Sequence, residues 1–208
     1  YTALLKDQLN QLPDVFVVPD GPSSIAGVYV EVTLATSGRE LDCAPDALNA
    51  QAREAALRRN ASVEDLRGRV PLSDVLAHAH NRWGLLGDPG SGKTTLLRHV
   101  AVELLNEPTG PLPIYLKVAE LEHGLTHAIT SLCASFNAPK LTDYLLTEAK
   151  LGRVVLLIDG LDEAVDLPAA RRWVISAAAD VGESQVVVAS RPIGYKEPSA
   201  AFKTLTIC

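Results

Sequence analysis

The spacing of apolar positions changes along the chain, and the change marks its organisation. Leu4, Leu5, Leu9 and Leu12 recur at helical spacing before Pro13, which predicts a short opening helix ended by the proline. After a turn-rich "PDGPSS", the run "VYVEVTL" sets Val28, Val30, Val32 and Leu34 against Tyr29, Glu31 and Thr33, the alternation of a half-buried strand. Residues 46–60 are Ala-rich with charges on one side and read as a helix. From residue 71 strand and helix patterns alternate regularly, as in a parallel sheet covered by helices. "RWGLLG" runs into a Gly-rich loop, and the next helix carries Leu96, Leu97, Val100, Ala101 and Leu104 on one face. "LPIYLKV" is a second strand, and the helical segments "LTHAITSLCASF" and "LTDYLLTEAKL" follow, with Gly152 just past a helix end. "RVVLLID" is apolar throughout and so predicts a strand buried on both faces. Leu167, Ala170, Trp173, Val174, Ala177, Ala178 and Val181 form the inward stripe of the following helix, before the strands "SQVVVAS" and "FKTLTIC".

Composition narrows the classes. At 208 residues, 47% hydrophobic and 21% charged, the chain is long and apolar enough to bury a core without metal or disulfide support. No apolar run approaches the roughly eighteen residues that span a bilayer, so no membrane partner is expected. A net charge of −6 argues against a broad basic surface, so direct nucleic-acid binding is not expected either. Cys43, Cys133 and Cys208 show no CxxC spacing and read as reduced thiols of a cytoplasmic protein. His78 and His80, two apart, read as ordinary polar positions rather than metal ligands. The opening lacks the apolar core of a signal peptide, and the absence of any Met predicts an excised or processed piece.

The chemistry concentrates after residue 86. Gly87-Asp88-Pro89-Gly90-Ser91-Gly92-Lys93-Thr94 fits G-x-x-x-x-G-K-[ST], between an apolar strand and an amphipathic helix. Such a loop turns backbone N–H groups onto a phosphate, and Gly87, Gly90 and Gly92 supply the dihedral freedom and the close approach. Lys93 would neutralise the β- and γ-phosphates, Thr94 would ligate Mg²⁺, and the helix would aim its positive end at the anion. Asp159, at the carboxyl end of the buried strand, would hold Mg²⁺ opposite Thr94. Asp162 and Glu163 follow at three and four residues. Either acid could orient the attacking water; Glu163 is favoured, with Asp162 instead fixing the loop or capping the next helix. Arg191 ends a strand one βαβ unit beyond Asp159, so the two strands should be neighbours and the guanidinium should reach the γ-phosphate.

Together "GDPGSGKTT", "VVLLIDGLDEA" and "VVVASRP" resemble a NACHT domain, a branch of the STAND class of signal-transducing P-loop ATPases, and "LPIYLKVAEL" resembles that family's second strand. The resemblance covers residues 71–208, with residues 1–70 as a lead-in of helix, strand and helix. It implies a three-layer α/β/α P-loop NTPase fold on a mostly parallel five-stranded sheet, with a small α+β lead-in. It implies that residues Gly87 to Thr95, Thr95 included, bind the phosphates of ATP or ADP, that Thr94 and Asp159 serve Mg²⁺, that Asp162 and Glu163 are the acidic pair and that Arg191 is the sensor arginine. It also implies an intracellular switch with slow ATPase activity: ADP holds a closed monomer, and the ATP form self-associates to activate an attached effector, commonly in bacterial defence against phage. The family's helical lid, winged-helix segment and closing histidine follow the last strand, so they, with effector and sensor domains, are expected outside this chain.

Other readings differ at single positions. An AAA+-type remodelling ATPase uses an acid directly after the magnesium aspartate, where this chain has Gly160. A small-substrate kinase needs an arginine-rich lid, and the one arginine cluster after Glu163 is Arg171 with Arg172, on a predicted helix face. No LSGGQ-like transporter signature or NKxD-like guanine reader occurs. A scaffold that binds nucleotide without hydrolysis stays open.

Overall fold

The computed structural model describes residues 34–36, 72–76, 80–107, 109–193 and 195–207. The predicted opening helix, residues 28–33 of the alternating strand, the helix over 46–60, His78, Cys43 and Cys208 lie outside the described residues. The elements in order are β1 (Leu34–Thr36), α1 (Leu72–Leu76), β2 (Arg82–Leu86), α2 (Lys93–Asn106), β3 (Leu112–Lys117), α3 (Leu125–Ser135), α4 (Leu141–Lys150), β4 (Val154–Asp159), α5 (Leu167–Asp180), β5 (Gln185–Ser190) and β6 (Lys203–Ile207). Short 3₁₀ turns at Val118–Leu121 and Leu161–Glu163 follow β3 and β4.

The sheet runs β1-β6-β2-β5-β4-β3. Strands β2 to β6 are the five parallel strands that the sequence predicts. A sixth comes from the lead-in: β1 pairs antiparallel with β6, Leu34 opposite Ile207 and Thr36 opposite Leu205, so this part of the lead-in joins the core sheet.

Alternation along each strand sorts side chains to two faces and makes the three layers. Trp83, Leu85, Val155, Leu157, Val187, Ala189 and Leu205 pack with α1 and α2. Ile114, Leu116, Val154, Leu156, Ile158, Val186 and Val188 pack with α3, α4 and α5. Every residue of β4 is buried because both of its faces are covered, which is why its sequence shows no polar alternation. Each fully buried aliphatic side chain contributes about 1.5–3 kcal/mol. Stability therefore resides in these two cores, and substitutions at the open sheet edge can be read for function.

Two helical stripes shift slightly from expectation. In α2 Leu105 is buried and Leu104 only half-buried. In α5 Ala169 joins the buried stripe, while Leu167 and Trp173 are half-buried. Gly152 ends α4 with φ +72°, as its position predicts. Helix α5 has no basic residue in its last turn. Arg82, at the start of β2, supplies the cation instead: its guanidinium donates to Ala178 O at 2.9 Å and to Gly182 O and Ser184 O, satisfying carbonyls where the helix ends. His80 stands just before β2, its ring edge-on to Trp83 at 4.7 Å between centroids.

Tyr195 covers the middle of β2 on the α5 face. A Cβ on Gly84 would lie 2.2 Å from its hydroxyl oxygen, so glycine is needed there for close approach. That hydroxyl is buried and has no hydrogen-bond partner among the described residues. Burial, then the Glu197 carboxylate, push the phenol up from its ordinary 10 to about 12, with Arg171 opposing. The fold thus favours the neutral form. This contribution to stability is complete below the ordinary value and is lost as pH rises through about 12. We expect Tyr195→Phe to melt no lower than wild type at neutral pH, since an unpartnered hydroxyl is removed, and to lose less stability in strong alkali. A melting series across that range checks it; an unchanged alkaline slope would place the ionisation elsewhere.

Candidate functional site

The carboxyl ends of β2, β5 and β4 lie side by side, and the chain leaves each of them carrying one of the predicted groups. Because β5 sits between β2 and β4, Ser190 and Arg191 fall between the Gly-rich loop and Asp159. The predicted adjacency of the Asp159 and Arg191 strands is observed.

The loop's glycines have two different reasons. Gly90 and Gly92 have φ +79° and +86°, where L side chains rarely go, and a Cβ on either would meet nothing within 4 Å. Gly87 is tight by contact: an added Cβ would displace the Ser91 hydroxyl and lie 3.2 Å from Ser91 Cβ. The loop closes through Ser91 N–H to Asp88 O at 3.0 Å and is tied to β5 through Gly87 N–H to Ser190 O at 3.3 Å. Asp88, Pro89 and Gly90 are exposed, and Thr95 is half-buried one turn into α2. Lys93 Nζ donates to Gly87 O at 2.7 Å and Asp88 O at 3.0 Å, so the ammonium lies across the loop it would serve. Helix α2 starts at Gly92 without a side-chain cap. Helix α5, in contrast, is capped by Asp166, whose Oδ1 accepts from Ala169 N–H at 2.9 Å. The cap that the sequence left open to Asp162 is therefore Asp166.

Asp159 is buried, with 8% exposure. Two hydroxyls converge on its Oδ2: Thr94 Oγ1 donates at 2.7 Å from α2, and Tyr115 Oη donates at 2.9 Å from β3. The register places Tyr115 opposite Leu157, two residues before the aspartate on β4. Burial and then the Asp159 charge hold the Tyr115 phenol well above its ordinary range, with Arg98 opposing, so it stays a donor. Arg98 lies over the Tyr115 ring, 5.6 Å from its centroid.

Asp162 engages Arg191 at two points, accepting the backbone N–H on Oδ1 at 3.0 Å and Nε on Oδ2 at 2.8 Å. Glu163 is exposed, and its carboxylate turns back over Gly160, where an added Cβ would lie 3.0 Å from Oε2. Gly160 has φ +78°, which turns the chain sharply out of β4. The two acids thus have separate positions: Asp162 faces the arginine and Glu163 faces outward.

Sequence reasoning missed Tyr115, Arg98 and Asp166. A helix start following Val165 carried the signal for Asp166, with Pro168 in the first turn. For Tyr115 the only signal was its alternation against Ile114 and Leu116, which set its face but not its partner.

The donor set fits a magnesium nucleotide. A cation finds a buried carboxylate facing a threonine hydroxyl, and a phosphate finds an uncapped helix start, a lysine and open space above two glycines of positive φ. Ser91 Oγ, buried and without a partner among the described residues, adds a donor inside the loop.

Comparison with known proteins gives the family. No curated protein matches the chain. Among solved structures it is similar to one described as "crystal structure of DNA replication initiation factor", at 19% identity and a TM-score of 0.35, with 54% of this chain and 32% of that chain covered. It is also similar to C. elegans PCH-2, at 14% identity and a TM-score of 0.33, covering 74% and 40%. The chain spans two fifths or less of the length of either. The NACHT domain model matches residues 82–204, from the first residue of the strand before the Gly-rich loop into the last strand of the sheet. That match takes in more than half of the chain, which therefore belongs to the NACHT domain family of nucleotide-binding P-loop proteins.

Proposed function

We propose that this chain is the ATP- and ADP-binding module of a NACHT-type switch, with slow ATPase activity. The observation that carries the reading is the contact of Thr94 with Asp159 at the mouth of the Gly-rich loop, where a phosphate-bound cation needs both. Magnesium held there by Thr94 and Asp159 would supply positive charge to the phosphate oxygens. The Thr94 proton is committed to Asp159, which leaves the oxygen's lone pairs for a cation. Residues Gly87 to Thr95 offer backbone N–H groups and the positive end of α2, and Lys93 exchanges its two loop carbonyls for phosphate charge. Glu163, exposed beside Gly160, would orient the attacking water. Asp162 holds Arg191 by its backbone N–H and Nε, and among the described residues the terminal nitrogens are left as donors for the γ-phosphate.

A switch needs a contact made in one nucleotide state only. Arg191 supplies it, being tied on one side to Asp162 and half-exposed on the other. Self-association of the ATP form, an attached effector, a cytoplasmic setting and a role in bacterial antiphage defence follow from the family resemblance and complete the proposal. The continuously cycling alternative is disfavoured because the position after Asp159 is a glycine at φ +78° and carries no acid.

The test is equilibrium binding of ATP, ADP and GTP, with and without Mg²⁺. The expected result is adenine-nucleotide binding that tightens with Mg²⁺ for ATP. Binding of no nucleotide would overturn the reading, and binding followed by no turnover in the full-length protein would turn it to the scaffold.

A further inference from the structure

Thr94 and Arg98 are four residues apart on α2 and so share a face of the helix. Thr94 donates to Asp159, Arg98 covers the ring of Tyr115, and Tyr115 donates to the same oxygen of Asp159. The four side chains close a circuit between one helix and two adjacent strands. We infer that Tyr115 is a positioning residue for the cation site: its hydroxyl fixes the Asp159 carboxylate, and Arg98 fixes the Tyr115 ring from the helix that also carries Thr94. This rests on the nucleotide-binding reading above.

The physical argument is geometric. A carboxylate at a strand end can rotate about its terminal bond, and a single hydrogen bond from Thr94 leaves that rotation partly open. A second donor on the same oxygen, from another strand, sets the plane of the carboxylate. Tyr115 is suited to this because strand alternation aims it at the α2 face, while Ile114 and Leu116 are buried in the opposite core. Its ring is half-buried and clamped under a guanidinium, so the hydroxyl is offered from a fixed place. Partners of metal-ligating carboxylates commonly change metal affinity by about 10–100-fold when removed.

The deciding experiment titrates Mg²⁺ into the full chain with a fluorescent, non-hydrolysable ATP analogue. Tyr115→Phe keeps the ring and removes the hydroxyl. The expected result is a Mg²⁺ half-saturation raised by about 10-fold, with analogue affinity in EDTA unchanged. Arg98→Ala, which frees the ring and leaves the hydroxyl, is expected to shift half-saturation in the same direction by less. A Tyr115→Phe titration that superimposes on wild type overturns the inference. So does an equal loss of affinity with and without Mg²⁺, which would mark a general packing role. If wild type itself binds no analogue, or binds it without response to Mg²⁺, the nucleotide reading fails first and takes this one with it.

Discussion

Lys93→Ala is expected to weaken ATP binding by roughly 100-fold, the value of a charged hydrogen-bonding partner or two lost from a desolvated anion. The geometry makes the variant easy to interpret. Among the described residues the ammonium donates to the loop carbonyls of Gly87 and Asp88, and Lys93 belongs to neither buried core. Truncation leaves those carbonyls to water at the open edge of the sheet, so the melting curve should move little. Calorimetry with ATP and Mg²⁺ measures the affinity, and a melting curve of the same sample confirms the fold. Equal affinity in variant and wild type would remove the phosphate-binding role from this loop. Arginine should not restore it, because a planar fork does not reproduce a compact ammonium lying across the loop.

The parallel core was legible because its signals are local. Glycine, lysine and threonine at fixed spacing, an apolar strand ending in Asp159 and another ending before Arg191 each carry their chemistry within a few residues. Strand adjacency followed from the length of one βαβ unit, and the register of β4 with β5 bears it out. What stayed hidden depends on contacts distant in sequence. Arg82 reaches α5 about 100 residues away, and Tyr115 reaches Asp159 from the neighbouring strand. The antiparallel addition of β1 to β6 is of the same kind: alternation identifies a strand, but only the free edge of the assembled sheet says where it pairs. The division of labour between Asp162 and Glu163 was also out of reach. Both follow Asp159 within four residues, and the 3₁₀ turn at Leu161–Glu163, entered through Gly160, sends one carboxylate to Arg191 and the other outward.

That division sets the last expectation. Glu163→Gln should keep nucleotide binding and slow hydrolysis by roughly 100-fold or more, the usual contribution of a positioned base. The amide preserves size, and Glu163 makes no ion pair among the described residues, so stability gives no competing explanation. Asp162→Asn should fail differently. It weakens both contacts to Arg191, one backbone and one side chain, and should reduce the discrimination between ATP and ADP more than it reduces affinity for ADP. Asp159→Ala is a third pattern. It strands the hydroxyls of Thr94 and Tyr115 at a buried position and should abolish the Mg²⁺ dependence of binding. The three variants are to be compared in the full-length protein by single-turnover hydrolysis and by ATP and ADP binding with and without Mg²⁺. Wild-type turnover in Glu163→Gln, together with lost turnover in Asp162→Asn, would exchange the two roles. The Arg191 contact would then be a resting arrangement that releases Asp162 to act on water once nucleotide is bound.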